Sequence, residues 1–298
     1  MACLNIENII LWSKNKAVDE WTVTASTSAA SHPATEIQNS SPGLTWRSST
    51  GAASWIRGQQ ISAGVQMRST KKRGVVIVNH NLTTSGTFQV QLWNTVGTLM
   101  YNTILDARNY KVFDSDFEGL IDEIRPYKNF VVYIPSSIPT FTMGEWRITC
   151  LDSLSYYEIG RVFVGEAFQP RQNFVVMGAG QGPIDKTRVS ESYGGNKFSD
   201  NRPQKRFSDI SFPAAMSNLE DIPDWLYISN VNGRRTPVFI DPYPQTIHPP
   251  DFVAGEEVRA SFNLIWQLYG RMTSDIDIRW DSANAAEMRG RLVVEEEL

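Results

Sequence analysis

Histidine and cysteine are scarce, at three and two of 298 residues. His32, His80 and His248 are scattered, and Cys3 lies far from Cys150. No HxH, HExxH or CxxC spacing arises, so neither a zinc site nor a disulfide framework is expected. Long apolar runs are missing too. The longest reach five or six residues, against the ~18 that cross a bilayer, and membrane insertion is not expected. No charged n-region followed by an apolar h-region opens the chain, so export by a signal peptide is not expected either. Neither sign of charge dominates: 28 Lys and Arg stand against 32 Asp and Glu, net −4. Bulk electrostatics therefore give no reason to expect nucleic acid as a partner.

Aromatic residues and short alternating segments are plentiful. Nine Trp, ten Tyr and 14 Phe suit all-β folds and exposed binding surfaces alike. In 87–93, Phe88, Val90 and Leu92 alternate with Gln89, Gln91 and Trp93, the period of a half-buried strand. "WTVT" (21–24), "FVVYI" (130–134), "EWRITC" (145–150) and "EIGRVFVG" (158–165) read the same way. In the third of these, Trp146, Ile148 and Cys150 share a face, which makes Cys150 a buried structural thiol and fits synthesis in a reducing cytoplasm. "DSDFEGLIDEI" (114–124) alone looks locally helical. Short strands punctuated by Ser/Thr/Gly/Pro loops predict an antiparallel sandwich or jelly roll, an all-β class.

The composition changes near residue 170, which suggests two β domains, 1–170 and 171–298. Residues 178–206 are rich in Gly, Pro and charge and are expected to be a flexible loop. The stretch 171–206 holds seven Lys/Arg against three acids. It is expected to pack on an acidic neighbour, such as another subunit's "VVEEEL" (293–298), with Tyr193, Phe198, Arg202 and Arg206 as assembly contacts. Strands return at "KRFSDISF", "DWLYISNV", "TPVFID", "DIDIRW" and "GRLVVEEE". The longest is "EVRASFNLIWQLYG", where Val258 to Leu268 place six apolar side chains on one face.

Candidate chemistry is thin. "GAGQGP" (178–183) lacks GxGxxG and any following Lys-Ser/Thr pair, so it reads as linker rather than phosphate loop. His80, in "NHNL", has no Ser, Cys or carboxylate at catalytic spacing in its motif. It reads as a structural corner: Asn79 and Asn81 bond nearby backbone, His80 donates a ring N–H to a loop carbonyl, Leu82 tucks beneath and Gly86 permits the reversal.

"ASHPATEIQNSSPGLTWRSS" (30–49), "VVIVNHNLTTSGTFQVQLWN" (75–94), "EWRITCLD" (145–152) and "YYEIGRVFVGEAFQP" (156–170) occur in an order that resembles tail and baseplate proteins of tailed bacteriophages. The first domain of that family is similar to the galactose-binding, discoidin-like jelly roll. The resemblance implies a non-enzymatic structural protein of a virion tail tip or baseplate, made in the host bacterial cytoplasm and assembled with other tail proteins and copies of itself. It equally admits a carbohydrate-binding module that aids adsorption to a bacterial surface glycan, with Trp46, Arg47 and Trp55 as the ligand-binding candidates. Discoidin-like domains often hold calcium, but beyond Glu36 the loops at 36–58 contain no carboxylate, so no cofactor or metal is expected.

Overall fold

The structure, a computed structural model, describes residues 8–61, 63–83, 85–107, 128–171, 180–184, 188–191, 197–200, 205–212, 221–229, 235–242, 244, 267–273, 279–280 and 288–297. The chain divides into two units, Met1–Gln169 with Asp241–Gln267, and Pro170–Ile240 with Leu268–Leu298. The class is all-β.

In the first unit the strands are β1 (Ile10–Trp12), β2 (Thr22–Ala25), β3 (Trp46–Arg47), β4 (Ser54–Gln59), β5 (Val65–Met67), β6 (Lys72–His80), β7 (Thr87–Asn94), β8 (Leu99–Asp106), β9 (Asn129–Tyr133), β10 (Phe141–Leu151) and β11 (Glu158–Ala167). A single-turn helix α1 (Lys16–Asp19) follows β1. One sheet runs β2-β4-β10-β7-β8 with β5 also on β10, and the other runs β3-β11-β6-β9. Neighbours in each sheet are mostly not consecutive in sequence, so the chain passes repeatedly from one sheet to the other, as in a jelly roll. The expected strands at 21–24, 130–134, 145–150 and 158–165 all lie here. The expected helix at 114–124 lies outside the described residues.

Alternation explains the core. Ile56, Phe88, Val90, Leu92, Trp146, Ile148 and Cys150 from one sheet meet Val75, Ile77, Phe130, Val132, Ile159 and Val162 from the other. The Phe88 and Phe130 rings sit 4.9 Å apart across the interface. Cys150 is buried, as the sequence predicts, and burial pushes its thiol well above the usual range. Two cations are buried with the apolar residues. Arg161 reaches Asp19 at 2.6 Å and the Ile37 carbonyl at 3.0 Å. Arg73 donates to the carbonyls of Met67 (2.7 Å), Pro135 and Pro139 (3.1 Å each) and Ile138. One guanidinium thereby ties the β5 end to the turn before β10, a task that needs its fork of donors.

The corner after β6 is built largely as its residues suggest. Asn79 adopts φ +58°, which asparagine tolerates better than most residues, and donates to the Pro42 carbonyl at 2.7 Å. Asn81 donates to the Tyr156 carbonyl and accepts from the Glu158 amide. Leu82 is buried, and the Gly86 amide closes a turn on the Thr83 carbonyl. His80 corrects the expectation: neither ring nitrogen has a hydrogen-bond partner. The imidazole packs edge-on to Phe88 at 5.0 Å instead, acting as an apolar plug because the polar groups of the corner are already paired through the asparagines.

The second unit contains β12 (Gly180–Ile184), β13 (Arg188–Glu191), β14 (Lys197–Asp200), β15 (Lys205–Phe212), β16 (Val238–Asp241), β17 (Leu268–Met272), β18 (Arg279–Trp280), β19 (Met288–Glu296) and the helix α2 (Ile222–Tyr227). Within it the order is β16-β17-β19-β15-β12, with β18 on β19 and a separate β13–β14 pair. Within the expected flexible loop at 178–206, residues 180–184, 188–191 and 197–200 form β12, β13 and β14, residues 205–206 open β15, and the remainder lies outside the described residues. Backbone pairing, with β12 on β15 and β13 on β14, supplies order that apolar patterning does not announce. "DWLYISNV", read as a strand, is helical from Asp224 to Ser229, its described part. Pro223 suits a first helical turn, and Trp225 and Ile228, three apart, are both buried, with Trp225 4.8 Å from Phe212. The expected strand at 258–268 lies outside the described residues except for its last positions.

Lys205 and Arg206, the last two residues of the basic stretch, meet acids in the same chain. Arg206 pairs with Glu296, Lys205 with Glu295, Arg271 with Glu297 and Arg291 with Asp209. Three of these four pairs use the "EEE" run of the C-terminal segment, and all four lie across neighbouring strands of one sheet.

Two stability measurements follow. Arg73→Leu removes the guanidinium donors from four carbonyls, of which Pro135 keeps the Ile138 amide, and should lower unfolding stability by about 3 kcal/mol, with Arg73→Lys recovering less than half, in urea denaturation followed by tryptophan fluorescence. Burial lowers the His80 pKa to about 3, whereas the unfolded ring titrates near 6.5. Between those values the unfolded state binds more protons, so stability falls as pH drops. His80→Met should remove about 2 kcal/mol of the loss between about pH 6.5 and 4.5, and an unchanged pH slope would contradict this burial.

Candidate functional site

The outer face of the first sheet follows from what its inner face must bury. On β10, Trp146, Ile148 and Cys150 point inward, so Glu145, Arg147 and Thr149 point out. On β7 the inward Phe88, Val90 and Leu92 leave Gln89, Gln91 and Trp93 outside, and on β4 Trp55, Arg57 and Gln59 face out. Antiparallel register sets these residues in rows: Gln59, Glu145, Trp93; then Arg57, Arg147, Gln91; then Trp55, Thr149, Gln89.

Two irregularities frame this face. The β10–β7 register shifts between Met143 and Glu145, and the β7–β8 register shifts between Leu92 and Trp93. At the first, Gly144 is required: a Cβ there would lie 2.8 Å from the Thr95 Cα. The extra residue lets Met143 and Trp146 both reach the core, an odd spacing that plain alternation forbids, and turns Glu145 outward beside Trp93. Bulges commonly re-aim side chains near functional sites.

Arg147 lies between two indoles, its guanidinium carbon 5.2 Å from the Trp55 ring and 5.1 Å from the Trp93 ring. Arg57 stacks on the other part of Trp55 at 5.5 Å. Such cation–π contacts fix both planar groups and hold the indoles upright on the sheet. Glu145 faces both cations, 3.7 Å from Arg57 and 3.5 Å from Arg147. Beside the cluster runs a groove of about 360 Å³, lined by Trp93, Glu145 and the two arginines together with Gln59, Gln60 and Asn94. Its size is that of a small-ligand cleft. An aromatic wall, amides and paired ions are suited to a ring with one apolar face and several hydroxyls.

Of the expected ligand-binding residues, only Trp55 belongs to this cluster. Trp46 corrects the expectation, because its ring is fully buried and its Nε1 donates to the Thr27 carbonyl and Ser28 Oγ. It closes the end of the sandwich and offers no face for stacking. Arg47 reaches the surface on the other sheet, where its Nε donates to Glu158 at 2.6 Å and its guanidinium covers Tyr156 at 4.7 Å. Of the expected assembly contacts, Arg206 is engaged with Glu296, Phe198 lies in β14, and Tyr193 and Arg202 lie outside the described residues. Sequence reasoning missed Trp93, Arg57, Glu145 and Arg147. The signal available was a tryptophan on the polar side of an alternating strand, where it has no core to fill.

Among the described residues, no three His, Cys, Asp or Glu side chains converge in a way that could hold a metal ion, and no helix is long and apolar enough to cross a membrane.

No known protein family matches the chain, and no curated protein matches it. Solved structures similar to it include the lectin domain of lectinolysin in complex with Lewis B antigen, 12% identical, covering 53% of this chain and 98% of that one with a TM-score of 0.34. A family 32 carbohydrate-binding module from Clostridium perfringens NanJ, in complex with galactose, is 14% identical over 52% of this chain and 98% of that one, TM-score 0.34. An F5/8 type C domain of a Bacteroides fragilis protein is 14% identical over 53% and 97%, TM-score 0.35.

Proposed function

We propose that the first unit is a non-catalytic carbohydrate-binding module whose contact surface is the outer face of the β4–β10–β7 ladder. The observation that carries this reading is the pair of half-buried indoles, Trp55 and Trp93, held upright by Arg147 beside a groove lined with amides. Core packing does not need them: both project from the face opposite the sandwich interior. A pyranose ring stacked on Trp93 would find Gln59 and Gln60 beside its hydroxyls, while Asn94 closes the adjoining turn by accepting the Val96 and Thr98 amides.

The setting we propose is a virion. The motif order of residues 30–170 resembles tail and baseplate proteins of tailed phages, and a tail subunit present in several copies, made in the host cytoplasm, would face a bacterial surface glycan. Stacking one indole on a sugar contributes only about 1 kcal/mol, so multiple copies would supply useful adhesion through avidity.

Displayed multivalently on a bacterial glycan array, the protein should bind, and Trp93→Ala should reduce binding at least about tenfold while leaving the melting temperature within about 2 °C of wild type. Trp46→Phe should leave the binding pattern unchanged. A blank array, or equal binding by the Trp93 variant, refutes the reading.

A further inference from the structure

Resting on that reading of the groove, we infer that its ligands are acidic saccharides, in which a carboxylate on the sugar ring meets the two arginines. The argument starts from charge that the protein leaves incompletely matched. Arg57 and Arg147 are direct cross-strand partners in the β4–β10 pair. Like charges placed opposite one another destabilise a sheet, so the arrangement needs a compensating anion. The protein supplies one carboxylate for the two cations, Glu145, at 3.7 and 3.5 Å. A close charge-assisted contact is nearer 2.8 Å. Every other described arginine–carboxylate pair in the chain closes to 2.6 Å or less. The two pairs in the groove are thus the long ones.

The polar atoms agree. Nε of Arg57 and Nε of Arg147 are buried without a hydrogen-bond partner, so each guanidinium is satisfied only through its terminal nitrogens, which face Glu145 and line the groove. Stacking on Trp55 and Trp93 keeps the guanidiniums from turning toward Glu145 to shorten those contacts. The result is a fixed site with one net positive charge beside an aromatic wall. A neutral hexose would leave that charge as it stands. A uronate-type ring brings its carboxylate on the same scaffold that stacks on Trp93, so that two cations face two anions.

The test compares three polymers with the full chain by isothermal titration calorimetry: polygalacturonate, the same polymer fully methyl-esterified, and dextran sulfate, each at low and at physiological salt. Polygalacturonate should bind at least about tenfold more tightly than its ester, with the difference shrinking as salt rises. Arg57→Gln should bring the ratio of the two affinities to about one. Glu145→Gln, which removes the internal counter-charge, should enlarge it. Equal affinity for acid and ester overturns the acidic-saccharide inference and leaves the glycan reading intact. Binding to neither pectin polymer nor to any member of the glycan array overturns both. Dextran sulfate binding that matches polygalacturonate and ignores Trp93→Ala would reveal indiscriminate anion attraction and also overturn the inference.

Discussion

Everything on the candidate surface depends on the pleat of β10. A strand has only two faces, and the inner one is claimed by Trp146, Ile148 and Cys150. Were the alternation unbroken back to Phe141 and Met143, one of the two groups of apolar residues would have to face water, or Glu145 would have to enter the core at a cost of several kcal/mol. The extra residue at Gly144 resolves this conflict. It re-phases the strand so that both groups are buried and Glu145 emerges beside Trp93. Core packing, groove and charge cluster are therefore products of a single irregularity, tolerated because glycine admits the Thr95 backbone at a distance no Cβ allows.

That dependence also explains which parts were legible in the sequence. Alternation located β2, β7, β9, β10 and β11 and assigned Trp93 to the polar side of β7, while β1, β3, β4, β5 and β8 were not expected. It could not give the register between β4, β10 and β7, and register is what sets Trp55, Arg147 and Trp93 side by side, though they are far apart in the chain. Trp46 shows the complementary limit. A tryptophan beside a polar loop looks the same in sequence whether it is displayed or closes a sandwich end, and here the Thr27 carbonyl and Ser28 hydroxyl hold its indole inward. His80 is similar: its neighbours predicted a corner, but whether a ring nitrogen finds a partner depends on a carbonyl from elsewhere in the chain.

In the second unit, local signals were overridden by distant ones. A Gly- and Pro-rich stretch such as 180–184 has little reason to be extended by itself, yet β12 pairs along β15. Lys205 and Arg206, at the end of the basic run, find their acids about 90 residues on, in β19, a pairing that sequence distance hid. The helix α2 carried its own signature, Pro223 followed by Trp225 and Ile228 at helical spacing, which competed with an equally short apparent alternation.

The position of β19 in its sheet has a temporal consequence. It is a central strand, between β17 and β15, and it is synthesised after both. Until Met288–Glu296 has left the ribosome, β15 and β17 each present an edge of amides and carbonyls that β19 has yet to pair. The described strands of the first unit are complete by Ala167, so its two sheets can form while the ribosome is still translating, although the unit also takes in Asp241–Gln267. The second must wait, and its folding yield will depend on translation speed and on chaperones that shield strand edges.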